Sequence, residues 1–550
     1  MMNLLLTHRE RLLRTLRYQS VDRPPDYEFG AWVQTIDRWS GEGMDVRACN
    51  GLGRKTYYVE QYFNTDDAEY GPTLNVNVGL LPMFEEIVLE ERGDSQIIQD
   101  RDGAICEQLR PELGASIPRY LRYAIQTRAD WEKMRDERLN PDHPERLPRY
   151  LDALARRLRD ADYPVVVRMG SLYGWIRNWM GVENLSLALY DDPSWVEAMM
   201  EQLTRLALGV LEKLAGRGFV IDRADWWEDM CYRSGSLLST RMFARLMVPR
   251  YKRITDFLRR ELGCEFNQLD CDGNIHQLVP LWLEGGINVM FPIEVAHTDV
   301  FRIADQFGQR VALRGAFDKR ALIEGPAAID AELERLRPLL ARGGFIPHTD
   351  HLVPPDVPWE HYLYYRRRKC ELIGKPWRAP GVQPRTGHVM TWRLLGPFDN
   401  TGNAGFHAAY PPEPTAGVSD PTVGKGGREL RWRTYRNQAA SGYVDLVEAL
   451  GHEPWCMAYA ACEVYSPDER DGWLEFGSDD GLAVWLNGEE LLRRDVYRPA
   501  APGQDLVPVR LRQGRNDLLL KISQAEGDWG FHCRLADDRG RAWSDVEVKV

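Results

Sequence analysis

Two short stretches of the 550-residue chain concentrate side chains suited to proton transfer or cation binding. In the first, Asp270 and Asp272 flank Cys271 within Asp270-Cys-Asp-Gly-Asn274. In the second, His348 and His351 share a Pro-bounded loop. Carboxylates and imidazoles act as general acids and bases. They also make an O,O,N donor set, which suits hard or borderline cations better than thiophilic ones. Asp270, Asp272 and His351 are therefore the expected catalytic groups and the expected ligands of one divalent, zinc-like metal, with His348 as substitute ligand. A plainer role competes, because a carboxylate ahead of a helix is stabilised there as a cap. Cys271 reads as packing: the flanking carboxylates oppose any lowering of its pKa by a helix N-terminus.

Other polar groups follow other apolar runs. Asp229, beside Glu228, and Glu294 are candidate acid–base groups. Glu28, Trp32, Arg168, Tyr173, Asp222 and Arg314 are candidate substrate contacts. The mouth they outline is acidic and would repel an anion unless Arg168, Arg223, Arg233 or Arg314 offsets it. Loops are polar in any protein, so the weight rests on placement.

That placement comes from alternating strand and helix patterns up to about Lys375. A capping box at Thr7 and Glu10 opens a first helix. Strand-like runs are expected at 26–29, 164–168, 218–221, 265–269, 287–291, 311–314 and 344–347. After Leu269, the residues Ile275, Leu278, Val279, Trp282 and Leu283 fall at i, i+3, i+4, i+7 and i+8, a helical period. Alternation over this length implies a parallel sheet, and a closed (β/α)8 barrel fits the length. In a barrel, the loops after the strands build the site. No GxGxxG follows a strand, so a dinucleotide site has no support.

Composition narrows the classes. Hydrophobic residues at 44% and charged residues at 28% describe a globular chain. A formal charge of −12 argues against nucleic-acid binding, which depends on neutralising phosphates. No apolar run reaches the ~18 residues of a membrane span. Nine cysteines, scattered and without a CxxC pair, read as reduced thiols and hence a cytoplasmic protein.

Residues 7–372 resemble the uroporphyrinogen decarboxylase superfamily, which includes cobalamin-dependent methyltransferases. The resemblance rests on Arg9-Glu-Arg-Leu-Leu…Val21-Asp-Arg-Pro-Pro, the Asp270–Asn274 turn, Arg314-Gly-Ala-Phe-Asp318 and the ending His351…Pro358-Trp-Glu. It implies a (β/α)8 barrel without NAD or flavin, a small-molecule substrate and, for the methyltransferase branch, a corrinoid protein as partner. The chain also departs from the pattern. Where decarboxylases of the family carry arginines for porphyrinogen carboxylates, it reads Asp26-Tyr-Glu-Phe-Gly-Ala-Trp32. Where thiol methyltransferases carry a His-x-Cys pair and a later Cys as zinc ligands, it reads Asp270, Asp272 and His351.

The Pro- and Gly-rich stretch around 376–388 reads as a linker between a barrel at 1–375 and an all-β region at 389–550. Short strands with Asp480-Gly481 and Asn487-Gly488 turns imply a β-sandwich. Its pattern resembles jelly-roll accessory domains of carbohydrate-active proteins, which implies a glycan partner. Trp392, Trp432, Trp455, Trp473, Trp485 and Trp529 would either stack on sugars or fill the core. Asp479-Asp480 would either bind Ca²⁺ or form a bare turn. The expected function is methyltransferase-like one-carbon chemistry on a small methylated substrate or a corrinoid partner. The alternatives are a decarboxylase of a tetrapyrrole or smaller acid, and a non-catalytic glycan- or partner-binding protein.

Overall fold

The computed structural model describes residues 5–46, 62–66, 74–110, 118–381, 386–417 and 421–550. Two compact units emerge, one of residues 1–44 and 65–377, the other of residues 45–64 and 378–550. Residues 382–385 of the expected linker lie outside the described residues.

The first unit opens with α1 (His8–Leu16), closed at its N-terminus by the Thr7–Glu10 capping box. A small antiparallel sheet follows, with β1 (Ile87–Arg92), β2 (Ser95–Gln99), β3 (Ile105–Leu109) and β4 (Arg119–Arg122) in sequential order. It was not expected, because its outer strands are exposed along their length and carry no buried-strand pattern. The main sheet holds six parallel strands. They are β5 (Val166–Gly170), β6 (Arg223–Trp227), β9 (Phe266–Asp270), β10 (Val289–Ile293), β11 (Ala312–Phe317) and β12 (Phe345–Thr349), neighbours in that order. A two-residue-strand hairpin, β7 (Cys231–Tyr232) and β8 (Gly235–Ser236), follows β6. Single parallel bridges, Leu74 to Val167 and Ala31 to Val353, extend the array beyond β5 and near the end of β12. The expected strand at 26–29 forms no ladder of its own.

Strand alternation gives the sheet an inner face. Its first layer is Phe266, Val289, Ala312 and Ile346, packed with Tyr27 and sealed by Leu12 and Leu16 of α1. Two residues further along the strands lie Gln268, Phe291, Arg314 and His348, and then Asp270. The apolar layer thus lies beneath and the polar layer above, at the C-terminal ends of the strands.

One strand assignment needs correcting. The run at 218–221 is not a strand; the strand is Arg223–Trp227. Its inner-face residues Arg223 and Asp225 are polar because they form an ion pair, at 2.6 Å from Nε to Oδ1. That pairing hid the strand behind a more apolar neighbour. Asp222 therefore precedes the strand and lies at its opposite end, where it binds Arg9 of α1 and the Val165 amide.

The second unit is all-β. One sheet orders Arg433–Arg436, Thr391–Asp399, Cys456–Ser466, Gly514–Gln524, Leu482–Leu486 and Glu489–Arg494, with Glu547–Lys549 also on Cys456–Ser466. The other orders Val444–Asp445, Gly530–Asp537, Arg470–Asp479 and Asp505–Leu511. One core cluster draws on both sheets, as in a sandwich: Ala458, Leu520 and Ile522 from one, Leu474, Val509 and Phe531 from the other. Trp392, Trp473, Trp485 and Trp529 are buried, and Trp432 packs against a second cluster. The first four fill the interior, and Trp432 is half-buried. Among the described residues, no helix is long and apolar enough to cross a membrane.

Candidate active site

The turn after β9 is held by its neighbours. The Gly273 amide donates to Oε2 of Glu294 at 2.8 Å, and Oγ1 of Thr298 donates to the Gly273 carbonyl at 2.8 Å. Gly273 has φ +82°, and a Cβ there would stand 2.9 Å from the Tyr232 carbonyl of β7. Only glycine fits both constraints. Asp270 and Asp272 are consequently fixed in space by a turn that side-chain freedom does not loosen.

Oδ2 of Asp272 meets Nε2 of His351 at 3.3 Å, while its Oδ1 is enclosed without a hydrogen-bond partner. The His351 ring stacks with Trp32 at 6.3 Å between centroids and meets the edge of Phe29 at 5.3 Å. Phe29 in turn lies 4.8 Å from Phe291. Trp32 is 38% exposed and stands at the rim.

Burial pushes the Asp270 carboxyl well above the usual carboxylate range, and the charges of Asp272 and Asp229 push it further; Arg314 only partly opposes them. Asp229 is raised by burial and by Asp272, against the pull of Arg177, which donates to its backbone carbonyl and reaches Oδ2 at 3.4 Å. Asp229 also sits at φ +46°, in the left-handed region that Asp enters more readily than most non-glycine residues. Three carboxyl groups thus share one end of the sheet.

His348 lies beneath them, fully buried on β12. Its Nδ1 is 2.8 Å from the Thr349 carbonyl oxygen. A carbonyl only accepts, so Nδ1 carries the proton. Burial, with Arg314 and Lys369 nearby, pushes the His348 pKa well below its ordinary value, so the ring is neutral. Nε2 then holds a lone pair, enclosed and without a partner. Arg314 donates to Oε1 of Gln268 at 2.8 Å and lies over the rings of Phe291 and Tyr27.

The remaining expected residues divide. Glu294 ties the Gly273 turn and lies 3.7 Å from Nζ of Lys319. Arg168 is exposed on β5, and Arg233 lies over the Tyr232 ring. Tyr173 is buried, its hydroxyl unpartnered and pushed up by burial to about 12. Glu228 accepts hydrogen bonds from the Ser171 and Tyr251 hydroxyls and from the amides of Leu172, Tyr173 and Gly174. It anchors the turn after β5. Glu28 is fully buried and bound by Arg366, Lys369 and Tyr365. Its carboxylate holds the scaffold together. Gln268, Phe29, Phe291 and Lys319 were not singled out; the alternation that places Asp270 inward also places Gln268 inward.

Among the described residues, no group of three or more His, Cys, Asp or Glu side chains converges as a metal site. Cys271 lies beside Cys231, and its Sγ accepts from the Met230 amide. Asp270, Asp272 and His351 are therefore not gathered as a three-ligand set in this structure.

Residues 109–365 match the family model of uroporphyrinogen decarboxylase (URO-D). The first unit belongs to the uroporphyrinogen decarboxylase superfamily. No curated protein matches the sequence. Among solved structures, a methyltransferase from Methanosarcina mazei is similar at 14% identity and a TM-score of 0.43, covering 66% of this chain and 99% of its own. A β-glucosidase from Kluyveromyces marxianus matches at 10% identity and a TM-score of 0.19, over 65% of this chain and 36% of its own. The PA14 domain of the MpAFP antifreeze protein matches at 13% identity and a TM-score of 0.16, over 30% of this chain and 72% of its own.

Proposed function

We propose that this chain is an enzyme of one-carbon chemistry whose first unit is a closed (β/α)8 barrel, and that Asp270 is its proton donor. The observation that carries the reading is the position of Asp270: at the end of an inner strand, where burial and then the charges of Asp272 and Asp229 raise its pKa well above the usual carboxylate range. A neutral carboxylic acid at neutral pH can protonate an atom as that atom loses its bond to carbon. Methyl transfer from an ether or thioether needs this step, because the oxygen or sulfur left behind takes up a proton. A corrinoid on a partner protein would serve as the methyl acceptor. His351 and Trp32 shape the rim, and Asp272 lies beside Asp270, whose pKa burial and then the Asp272 charge raise.

A polycarboxylate substrate fits less well. Arg223, Arg314 and Arg177 are engaged with Asp225, Gln268 and Asp229, and Arg168 is a single exposed arginine on β5. Recognition of several carboxylates needs uncommitted, bidentate arginines.

The experiment is anaerobic incubation of the purified protein with a reduced corrinoid and a panel of methylated amines, ethers and thioethers, following alkyl-corrinoid absorbance. Methyl transfer from one class, lost in Asp270→Asn, is the expected result. Conversion of uroporphyrinogen to coproporphyrinogen, with no methyl transfer from any donor, would overturn it.

A further inference from the structure

We propose that Asp350 is the positioning residue of this site: its carboxylate clasps the turns after β10 and β11 to the turn after β12, and so holds His351 against Asp272. The inference rests on the reading above and concerns how that same site is held in shape.

The clasp follows from donors and acceptors. Asp350 comes directly after β12, directly before His351, and is 2% exposed. Its own amide donates to the Phe317 carbonyl at the end of β11, at 2.8 Å. Its Oδ2 accepts from the Val295 amide at 3.0 Å, and its Oδ1 from the Lys319 amide at 3.1 Å. One buried carboxylate thus satisfies a backbone donor from each of two other loops. Nζ of Lys319 faces this carboxylate and that of Glu294, at 4.0 Å and 3.7 Å.

The chain of bonds continues to the far side of the mouth. Val295 follows Glu294, whose Oε2 accepts from the Gly273 amide, and Gly273 follows Asp272. Asp272, Gly273, Glu294, Val295, Asp350 and His351 therefore form a closed ring. Its last link, the contact of Asp272 with His351, is partly exposed. An exposed pair contributes little on its own, so the links through backbone amides set its geometry. Amide bonds to a carboxylate are charge-assisted and stronger than neutral ones. Removing the Asp350 carboxylate orphans two amides at once, which frees the loop of Glu294 from the loop of His351. The Asp272 charge would then stand differently against Asp270, whose pKa it helps to raise.

The test is NMR of the imidazole C–H signals of the 11 histidines in the full-length protein. The His351 signal is the one lost in His351→Gln. Its ring stacks with Trp32 and meets the edge of Phe29, so ring currents mark its place. Asp350→Asn keeps one acceptor oxygen and turns an N–H donor toward the second amide. It should move the His351 signal toward that of a solvent-exposed histidine. It should also slow methyl transfer by at least about tenfold while changing the half-saturating substrate concentration less than about threefold. Glu294→Ala opens the same ring at Gly273 and should move the signal in the same direction; it decides where Asp350→Asn does not fold. Asp222→Asn removes a carboxylate that is also buried, at the opposite end of the strands, and should leave the signal in place. An unmoved His351 signal in the folded Asp350 or Glu294 variant, or an equal shift in Asp222→Asn, would overturn the proposal. A moved signal, with no methyl transfer by wild type from any donor, would count against the one-carbon reading alone. Wild-type methyl transfer whose rate Asp350→Asn leaves unchanged would count against this proposal alone.

Discussion

Nε2 of His351 stands 3.3 Å from Oδ2 of Asp272, so the turns after β9 and β12, 79 positions apart in sequence, meet over the sheet. The two side chains are 22% and 34% exposed, which limits what the pair adds to stability. Exposed ion pairs contribute about 0–1 kcal/mol. A double-mutant cycle with Asp272→Asn and His351→Gln, read by urea unfolding, should give a coupling within that range. A coupling of about 3 kcal/mol, the scale of a buried pair, would mean that the mouth is sealed from solvent.

The inner face was largely legible in the sequence because strand period and turn composition agree there. Asp270 ends an apolar run and is followed by Gly273, and the structure places it at the end of β9. The strand at 223–227 was misplaced for a physical reason. Arg223 and Asp225 neutralise each other on the inner face, so their polarity no longer marks a surface. Glu28 was read as a substrate contact because its partners lie more than 330 positions away, on the helix Trp359–Ile373, and no local pattern reveals such pairing. Nothing in the spacing of His348 shows which nitrogen faces the Thr349 carbonyl, and that fact defines its chemistry.

The cluster around Glu28 should dominate the acid sensitivity of the first unit. Asp26 and Glu28 are fully buried with Arg366 and Lys369, and Lys375 reaches Oδ2 of Asp26 at 2.7 Å. Burial alone would raise the Asp26 pKa, but Arg366, Lys369 and Lys375 outweigh it and hold the carboxyl well below the usual range. The folded state thus resists a proton that the unfolded chain accepts below about pH 4. This contribution is full above that pH and is lost as the pH falls further. Arg366→Met leaves two buried carboxylates short of a partner and should cost about 3–5 kcal/mol in chemical denaturation. A loss below about 1 kcal/mol would show that Lys369 and Lys375 suffice.

In the second unit the sign is reversed. Asp479 is buried beside Asp480 and Asp528; burial first, then those charges, push its carboxyl up to about 8. The unfolded chain releases this proton near about pH 4, whereas the folded chain keeps it to about 8. Stability therefore falls as pH rises through that window and levels off above it. Asp479→Asn removes the slope. Thermal unfolding should show the variant gaining on wild type between pH 4 and pH 8, the window those two values set. A variant equally destabilised at both ends would show that the ionised carboxylate makes a structural bond.

The proton on Asp270 is the point on which the account turns. Infrared difference spectroscopy of wild type against Asp270→Asn, at neutral pH in the resting protein, reads it directly. The substitution should remove the carbonyl stretch of a protonated carboxylic acid. If the difference spectrum instead shows only the loss of carboxylate bands, Asp270 is ionised at rest and cannot be the proton donor.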